Sequence, residues 1–497
     1  MECVKYIIVE EFVFIMLKKI FALTLAAILL FSITACKNEE EVEEVNTEET
    51  TITWWSLPVF SQPDSGEESF EQSLMSAFTK LHPEITIEHK ILSADTYADE
   101  FDTAIRNRQL PDVYFGYPEQ TIELAENGKM VDLKDVLFKS QAPSTEENTD
   151  SSSDEDQSTE DVAGVKPNIP DNILKAATTD NGTTYTFFPI AASAEVMAFN
   201  KEVLEQAGAL DLLPTDGDRS WTVDQYKELL VKLKEGLAET DIDTGALYYG
   251  STKGIDGSKN LIASAGGTMF EQDGELLIAS ENGVAGLTAI KDIVDEELLI
   301  NGMSMQSSTN LEAFLNGEIA HTILYSMDTD LNHKSEKKDN FTTIFMPYPS
   351  TESSSLANYT LLGATVYDSA DDAKIEAAKL FVDFLANSEE FRSSVSGRTG
   401  GYSVNKDYND FLEGEYAFFG ESLDLHGPYT FLEFDTEEIN FAWLKCLNQI
   451  FYVGSDIAEE LDAYATSAKD GGIDISDVDN SEEVDSDDTD DENADNE

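Results

Sequence analysis

An α/β fold of two lobes is what this sequence predicts, on three observations. The amino-terminal third alternates short apolar strands with amphipathic helices, the pattern of a largely parallel sheet covered by helices. Capped helices of regular apolar spacing recur further along. The 497 residues exceed what one core organises, and their 41% hydrophobic content is enough for globular packing.

The alternation opens with Ile52-Thr53-Trp54-Trp55, a buried strand, followed by an amphipathic helix around Phe70–Leu81 and the strand Ile85-Thr86-Ile87. A helical stretch near Tyr97–Arg108 leads to a short strand, Val113-Tyr114-Phe115. After a turn at Pro118, residues 119–127 read as helix with Gly128 placed to cap it. Thr222 and Gln225 form a capping-box pattern ahead of Val223, Tyr226, Leu229, Leu230, Leu233 and Leu237. Ile375, Ala378, Phe381, Val382 and Leu385 mark another helix, starting after Ser369. No internal repeat is found.

Ninety-nine acidic residues against 31 basic ones give a formal net charge of −68. Such a surface repels nucleic-acid phosphates and anionic membrane, which excludes both as partners of the folded part. Part of the charge is local: residues 37–50 hold seven carboxylates, residues 145–162 eight and residues 470–497 fourteen. Residues 140–163 and 469–497 have too little apolar surface to order themselves. They read as a disordered surface insertion and a disordered acidic tail.

The amino terminus assigns the compartment. From Met16, Lys18 and Lys19 precede a fourteen-residue uncharged run, Ile20–Ile33, which has the length of an export-signal core rather than of a membrane span. Ile33-Thr34-Ala35-Cys36 resembles a bacterial lipobox, so residues 1–35 are expected to be a signal peptide and Cys36 the lipidated mature terminus. Glu2, Glu10 and Glu11 spoil a basic start, which favours Met16 as the initiator. Residues 36–50 then form an acidic tether.

Enzyme signatures are missing: no GxxxxGK[ST] phosphate loop, no HExxH and no GxSxG elbow occurs. The five histidines, His82, His89, His321, His333 and His426, form no close ligand pair. Cys36 and Cys446, the cysteines left after cleavage, make neither a disulfide framework nor a cysteine metal site. Neither a metal nor a cofactor is expected. Paired carboxylates for glycoside hydrolysis cannot be read from spacing in sequence, and an enzyme acting on surface polysaccharide stays open as an alternative.

The segments Leu110-Pro111-Asp112-Val113, Leu124-Ala125-Glu126-Asn127-Gly128 and Val131-Asp132-Leu133 resemble the amino lobe of the family 1 extracellular solute-binding proteins, the maltose- and maltodextrin-binding group. Phe188-Pro189-Ile190, Phe199-Asn200-Lys201 and Gln206-Ala207-Gly208 are similar to its hinge region. So are Ser220-Trp221-Thr222, the run Phe314–Ala320, and Ala377–Leu385 through Gly400-Gly401. Each motif is weak alone; together, in order over residues 51 to about 410, they are specific. The resemblance implies two lobes of discontinuous segments, a hinge, an interlobe ligand cleft, and delivery of a small ligand, a carbohydrate, to an ABC permease. It also implies a monomer on the extracytoplasmic face of the membrane. A ligand-sensing lobe for a receptor remains an alternative. Lobe 1 is expected to comprise 51–190 and 356–400, and lobe 2 191–355 and 401–468. The crossings are expected near Pro189–Ala192, Tyr348–Tyr359 and Gly400–Gly401.

Sugars offer apolar faces ringed by hydroxyls, so aromatic planes and carboxylates beyond strand ends are the residues to seek. Trp55, Ser56, Tyr117 and Glu119 follow the first and third strands. Resemblance adds Ser193 and Glu195 beside the hinge. Tyr325 and Asp328 follow the strand through Ile323, and Tyr402 follows Gly401. Met327 stands where the family often has a stacking Trp, and Ser403 replaces a common proline, which suggests an altered ligand shape. Tyr248-Tyr249 is similar to the tyrosine pair of ferric-ion binders, but strand neighbours face opposite ways.

Overall fold

The computed structural model describes residues 49–60, 68–93, 96–138, 166–179, 182, 184–248, 255–266, 277–302, 307–351, 359–427 and 437–471. The signal peptide, Cys36, the acidic tether before Glu49, and insertion 140–163 lie outside them. So does Tyr249, and most of the acidic tail; helix Ile457–Gly471 runs just past the expected start of that tail.

Six strands form the larger sheet, in the order β11-β4-β10-β3-β1-β2. β1 (Thr50–Ser56), β2 (Ile85–Ile91) and β3 (Val113–Gly116) are mutually parallel, with Trp54 opposite His89 and Val113. β4 (Phe188–Ala194), β10 (Tyr359–Val366) and β11 (Tyr402–Ser403) continue the sheet in antiparallel pairs. The alternation of β1 is decisive for its two tryptophans. Ile52 and Trp54 point into the core under helices Phe70–Leu81 and Asp372–Asn387, where Trp54 is 0% exposed. Trp55 points to the other face and is half-buried.

A second sheet of three antiparallel strands has the order β8-β5-β9, from β5 (Val196–Asn200), β8 (His321–Tyr325) and β9 (Thr343–Met346). A parallel pair, β6 (Ala246–Tyr248) and β7 (Ile300–Gly302), stands beside it. Met197, Phe199, Ile323, Ile344 and Met346 of these strands share a core with helices Val223–Gly236 and Glu281–Asp295 and with the carboxyl-terminal helices Glu437–Asn448 and Ile457–Gly471, while Val196, Ala198, Tyr325 and Phe345 join the cluster of the six-stranded sheet. Tyr248 is buried in the former.

The expected helix starts hold in detail. The Thr222 side chain accepts from the Gln225 amide while Gln225 reaches back to Thr222. Gly128 takes the left-handed φ of +65° that ends its helix. The helix placed after Ser369 starts at Asp372, with Asp371 accepting from the amides of Ala373 and Lys374.

Two of the expected crossings move. β4 stays in the six-stranded sheet as far as Ala194, so the chain changes sheets at Glu195 and not at Pro189–Ala192. β11 pairs with β4, and Phe418, Phe419 and Leu423 belong to a core cluster that runs from the six-stranded sheet to Tyr325 and Phe345 of the second. The stretch after Gly401 therefore stays with that sheet until at least Gly427, whose carbonyl accepts from Tyr359 of β10. A short paired strand on the sheet's edge, only two residues long, was too brief to leave a period in the sequence.

Candidate functional site

Three elements converge beyond the carboxyl ends of β1, β2 and β3. Trp55 and Tyr117 pack on one apolar cluster made by Leu57, Leu92, Phe101, Tyr114, Leu124 and Met130. Tyr97, the first residue of helix Tyr97–Asn107, packs on the same cluster. Lys90 lies over the Trp55 ring at 4.3 Å, held there by Glu100 at 2.6 Å. The ammonium thus covers part of the indole.

Tyr117 and Glu119, both half-buried, open the turn of 3₁₀ helix Pro118–Thr121 that follows β3. Burial raises the Tyr117 phenol above its ordinary value, and the nearby Tyr97 and Glu119 push in the same direction. Tyr114 donates to Gln120 Oε1 at 3.2 Å. Its ring leaves no room for a side chain at Gly116, where an added Cβ would stand 2.2 Å from the phenolic oxygen. Glycine is needed there by close approach. The result is a hydrogen-bonding aromatic wall with the Lys90 ammonium over one ring and a carboxylate at its edge, chemistry suited to a polyhydroxylated ligand.

Ser193, in β4, and Glu195, where the chain changes sheets, are half-buried. Asp328 is exposed in the first turn of helix Met327–His333, and its Oδ2 accepts from Asn332 at 2.9 Å. Asp328 also touches the first lobe: a Cβ on Gly400, whose φ is +73°, would fall 2.2 Å from Asp328 Oδ1.

Three expected ligand contacts are internal instead. Ser56 is 0% exposed, with its hydroxyl 2.9 Å from His89 Nε2. Tyr325 is 1% exposed, set edge-on to Phe314 and donating to Asp330 Oδ1 at 3.2 Å. Tyr402 is 0% exposed, stacked on Phe419 with its hydroxyl 2.7 Å from His426 Nε2. Each sits at or near a strand end but on the face that turns inward, which position along the chain does not reveal. Met327 and Ser403 are likewise buried, so neither departure from the family's pattern alters an open ligand surface.

Tyr97 was missed: it follows β2 by a short loop, and the rule that found Tyr117 could have found it. Phe441 is 66% exposed on helix Glu437–Asn448. Among the described residues, no group of His, Cys, Asp and Glu could hold a metal ion, and no helix is long and apolar enough to cross a membrane.

The sequence profile of the bacterial extracellular solute-binding proteins matches residues 63–390. The chain belongs to that family. Solved structures of solute-binding proteins share the two-lobe fold. An ABC substrate-binding protein of Listeria monocytogenes, solved with cycloalternan, aligns at TM-score 0.56 and 18% identity over 85% of this chain and 99% of its own. The sugar-binding protein MalE of Xanthomonas citri aligns at TM-score 0.62 and 13% identity over 84% and 96%. The GacH receptor of Streptomyces glaucescens, solved with acarbose, aligns at TM-score 0.55 and 16% identity over 85% and 99%. No curated protein matches the sequence. In this two-lobe fold the six-stranded sheet organises one lobe and the three-stranded sheet the other.

Proposed function

We propose that this solute-binding protein is a lipoprotein that captures a sugar or oligosaccharide outside the cell and hands it to an ABC importer. The observation that carries the reading is the Trp55–Tyr97–Tyr117 wall with Glu119 at its edge, beyond the parallel strands of the first lobe. Similar structures solved with cycloalternan, acarbose and tagatose, and one of a cyclic alpha-maltosyl-1,6-maltose binding protein, support a carbohydrate. Ser193, Glu195, Asp328 and the exposed ring of Phe441 supply contacts from the hinge and the second lobe. Closure of the lobes then gains the second set of contacts. Lobe 1 comprises residues 49–194 and 359–427, and lobe 2 residues 196–346 and 437–471. Cys36 carries the lipid, and the protein acts as a monomer without catalysis.

The test is a thermal-shift panel of mono- and oligosaccharides, with native mass spectrometry of freshly purified protein for co-purified ligand. A sugar at about 100-fold its Kd should stabilise the fold by roughly 2.7 kcal/mol and be recovered unchanged. A shift with peptides or polyamines and none with sugars overturns the carbohydrate assignment.

A further inference from the structure

Trp55 and Lys90 are register partners on β1 and β2, each one residue short of its strand's carboxyl end. Lys90 reaches across, its ammonium 4.3 Å from the centre of the Trp55 ring and 2.6 Å from Glu100 Oε2. Glu100 is itself held. It lies in the first turn of helix Tyr97–Asn107, and its other oxygen accepts from the Thr96 hydroxyl at 3.1 Å. The ammonium is therefore fixed from two elements, a strand and a helix, beside the aromatic wall.

An ammonium carries three N–H donors and no acceptor. Glu100 takes one, and the indole face accounts for a second. Among the described residues the Lys90 ammonium has no third partner, and 45% of the side chain is exposed. The remaining donor meets whatever comes to rest against the wall. Because Lys90 covers part of the Trp55 ring, a sugar that approaches that ring meets the ammonium with it.

Charge decides what that donor recognises. Glu100 already balances the ammonium, Asp99 and Asp102 belong to the same helix as Glu100, and Glu119 stands at the edge of the wall. A ligand carboxylate would have to approach these anions, whereas a hydroxyl or ring oxygen accepts from the ammonium without that repulsion. We propose that Lys90 is a ligand-binding residue that donates to an oxygen of a neutral sugar, with Glu100 as the positioning residue that holds the ammonium in place. This rests on the sugar-binding reading, and it adds the charge of the sugar and one residue that selects it.

Calorimetric titration of Lys90→Met, Lys90→Arg and Glu100→Gln tests it. The neutral probe is whichever of maltotriose, cellotriose, xylotriose and tagatose raises the wild-type melting temperature most; trigalacturonate is the acidic probe. Lys90→Met keeps a stem over Trp55 and removes the donors. It should weaken the neutral probe about ten- to a hundredfold while changing the melting temperature little. Lys90→Arg should recover part of that loss. Glu100→Gln leaves the ammonium without its counter-charge, so it should weaken the neutral probe about two- to fivefold and strengthen trigalacturonate. A pair with only a structural role would not shift that selectivity. Neutral-probe affinity in Lys90→Met equal to or above that of the wild type overturns the contact and leaves the sugar-binding reading standing. A wild type that prefers trigalacturonate overturns the neutral assignment, and unchanged selectivity in Glu100→Gln overturns the positioning role. If no sugar shifts the wild type, the sugar-binding reading fails and the Lys90 contact falls with it.

Discussion

His321 and Tyr226 share a hydrogen bond of 2.8 Å at the centre of the second core, with no exposed surface on either. The other imidazole nitrogen lies 2.6 Å from the Thr244 carbonyl, and Phe199 stacks on the ring at 4.8 Å. The first core contains a parallel arrangement, His426 against Tyr402 at 2.7 Å.

Acid should weaken the fold through these two rings. Burial lowers each imidazole from 6.5 to about 4. The folded protein keeps them neutral while the unfolded chain protonates them, so this contribution is complete above pH 6.5. It is lost as pH falls from 6.5 toward 4, at about 1.4 kcal/mol per histidine per pH unit. Urea unfolding at pH 7.5, 6 and 5 should show the slope. His321→Gln should roughly halve it, leaving the His426 contribution, even though it lowers stability at pH 7.5.

The two adjacent tryptophans should separate cleanly. Trp54, stacked on His89 at 4.1 Å and edge-on to Phe381 at 5.0 Å, is core. Trp54→Ala should cost about 3–5 kcal/mol of stability. Trp55→Ala, at a half-buried ring, should lower the melting temperature less than Trp54→Ala and weaken sugar binding about ten- to a hundredfold. Calorimetric titration beside thermal melts reads both. Equal affinity in Trp55→Ala would take that ring out of the site.

Asp330 should tolerate no loss of charge. Burial alone would raise its pKa, yet hydrogen bonds from Lys337, Tyr416 and Thr343 hold it below the ordinary carboxylate range. Asp330→Asn leaves the Lys337 ammonium, 5% exposed, without its counter-charge. The expected cost is about 3–5 kcal/mol in denaturant unfolding. Tyr325→Phe, which removes only a 3.2 Å hydrogen bond to the same carboxylate, should cost about 1 kcal/mol.

Cys36→Ala should release the protein from membrane fractions, and intact mass of the wild type should show a lipid-modified chain beginning at Cys36. The Ile33-Thr34-Ala35-Cys36 run motivates this expectation. Mature protein carrying unmodified residues upstream of Cys36 would refute it.

Strands and caps were legible because they follow periods. The β1 alternation put one tryptophan inside and one outside, and Thr222 with Gln225 marked a helix start to the residue. What stayed hidden depends on contacts between distant segments. Ser56 and Tyr325 end their strands and Tyr402 opens β11, positions from which a side chain can reach a ligand, but His89, Asp330 and His426 draw their polar atoms inward. The edge strand β11 has two residues and no repeat to detect, so the third return to the second lobe was placed too early.

The pairing of β4 with β10 has a consequence for assembly. These neighbours join Ala192 to Leu361, with nearly all of the second lobe between them in the chain. The first sheet is therefore of high contact order, and pairing so remote in sequence forms slowly. β1, β2 and β3 can associate as soon as residue 116 is available, but β3 keeps a bare edge until β10 arrives. A chain interrupted after Met346 would hold a complete three-stranded second sheet and an unfinished first one. A nascent chain of this protein is thus most vulnerable to misassociation between the emergence of β3 and the emergence of Val366.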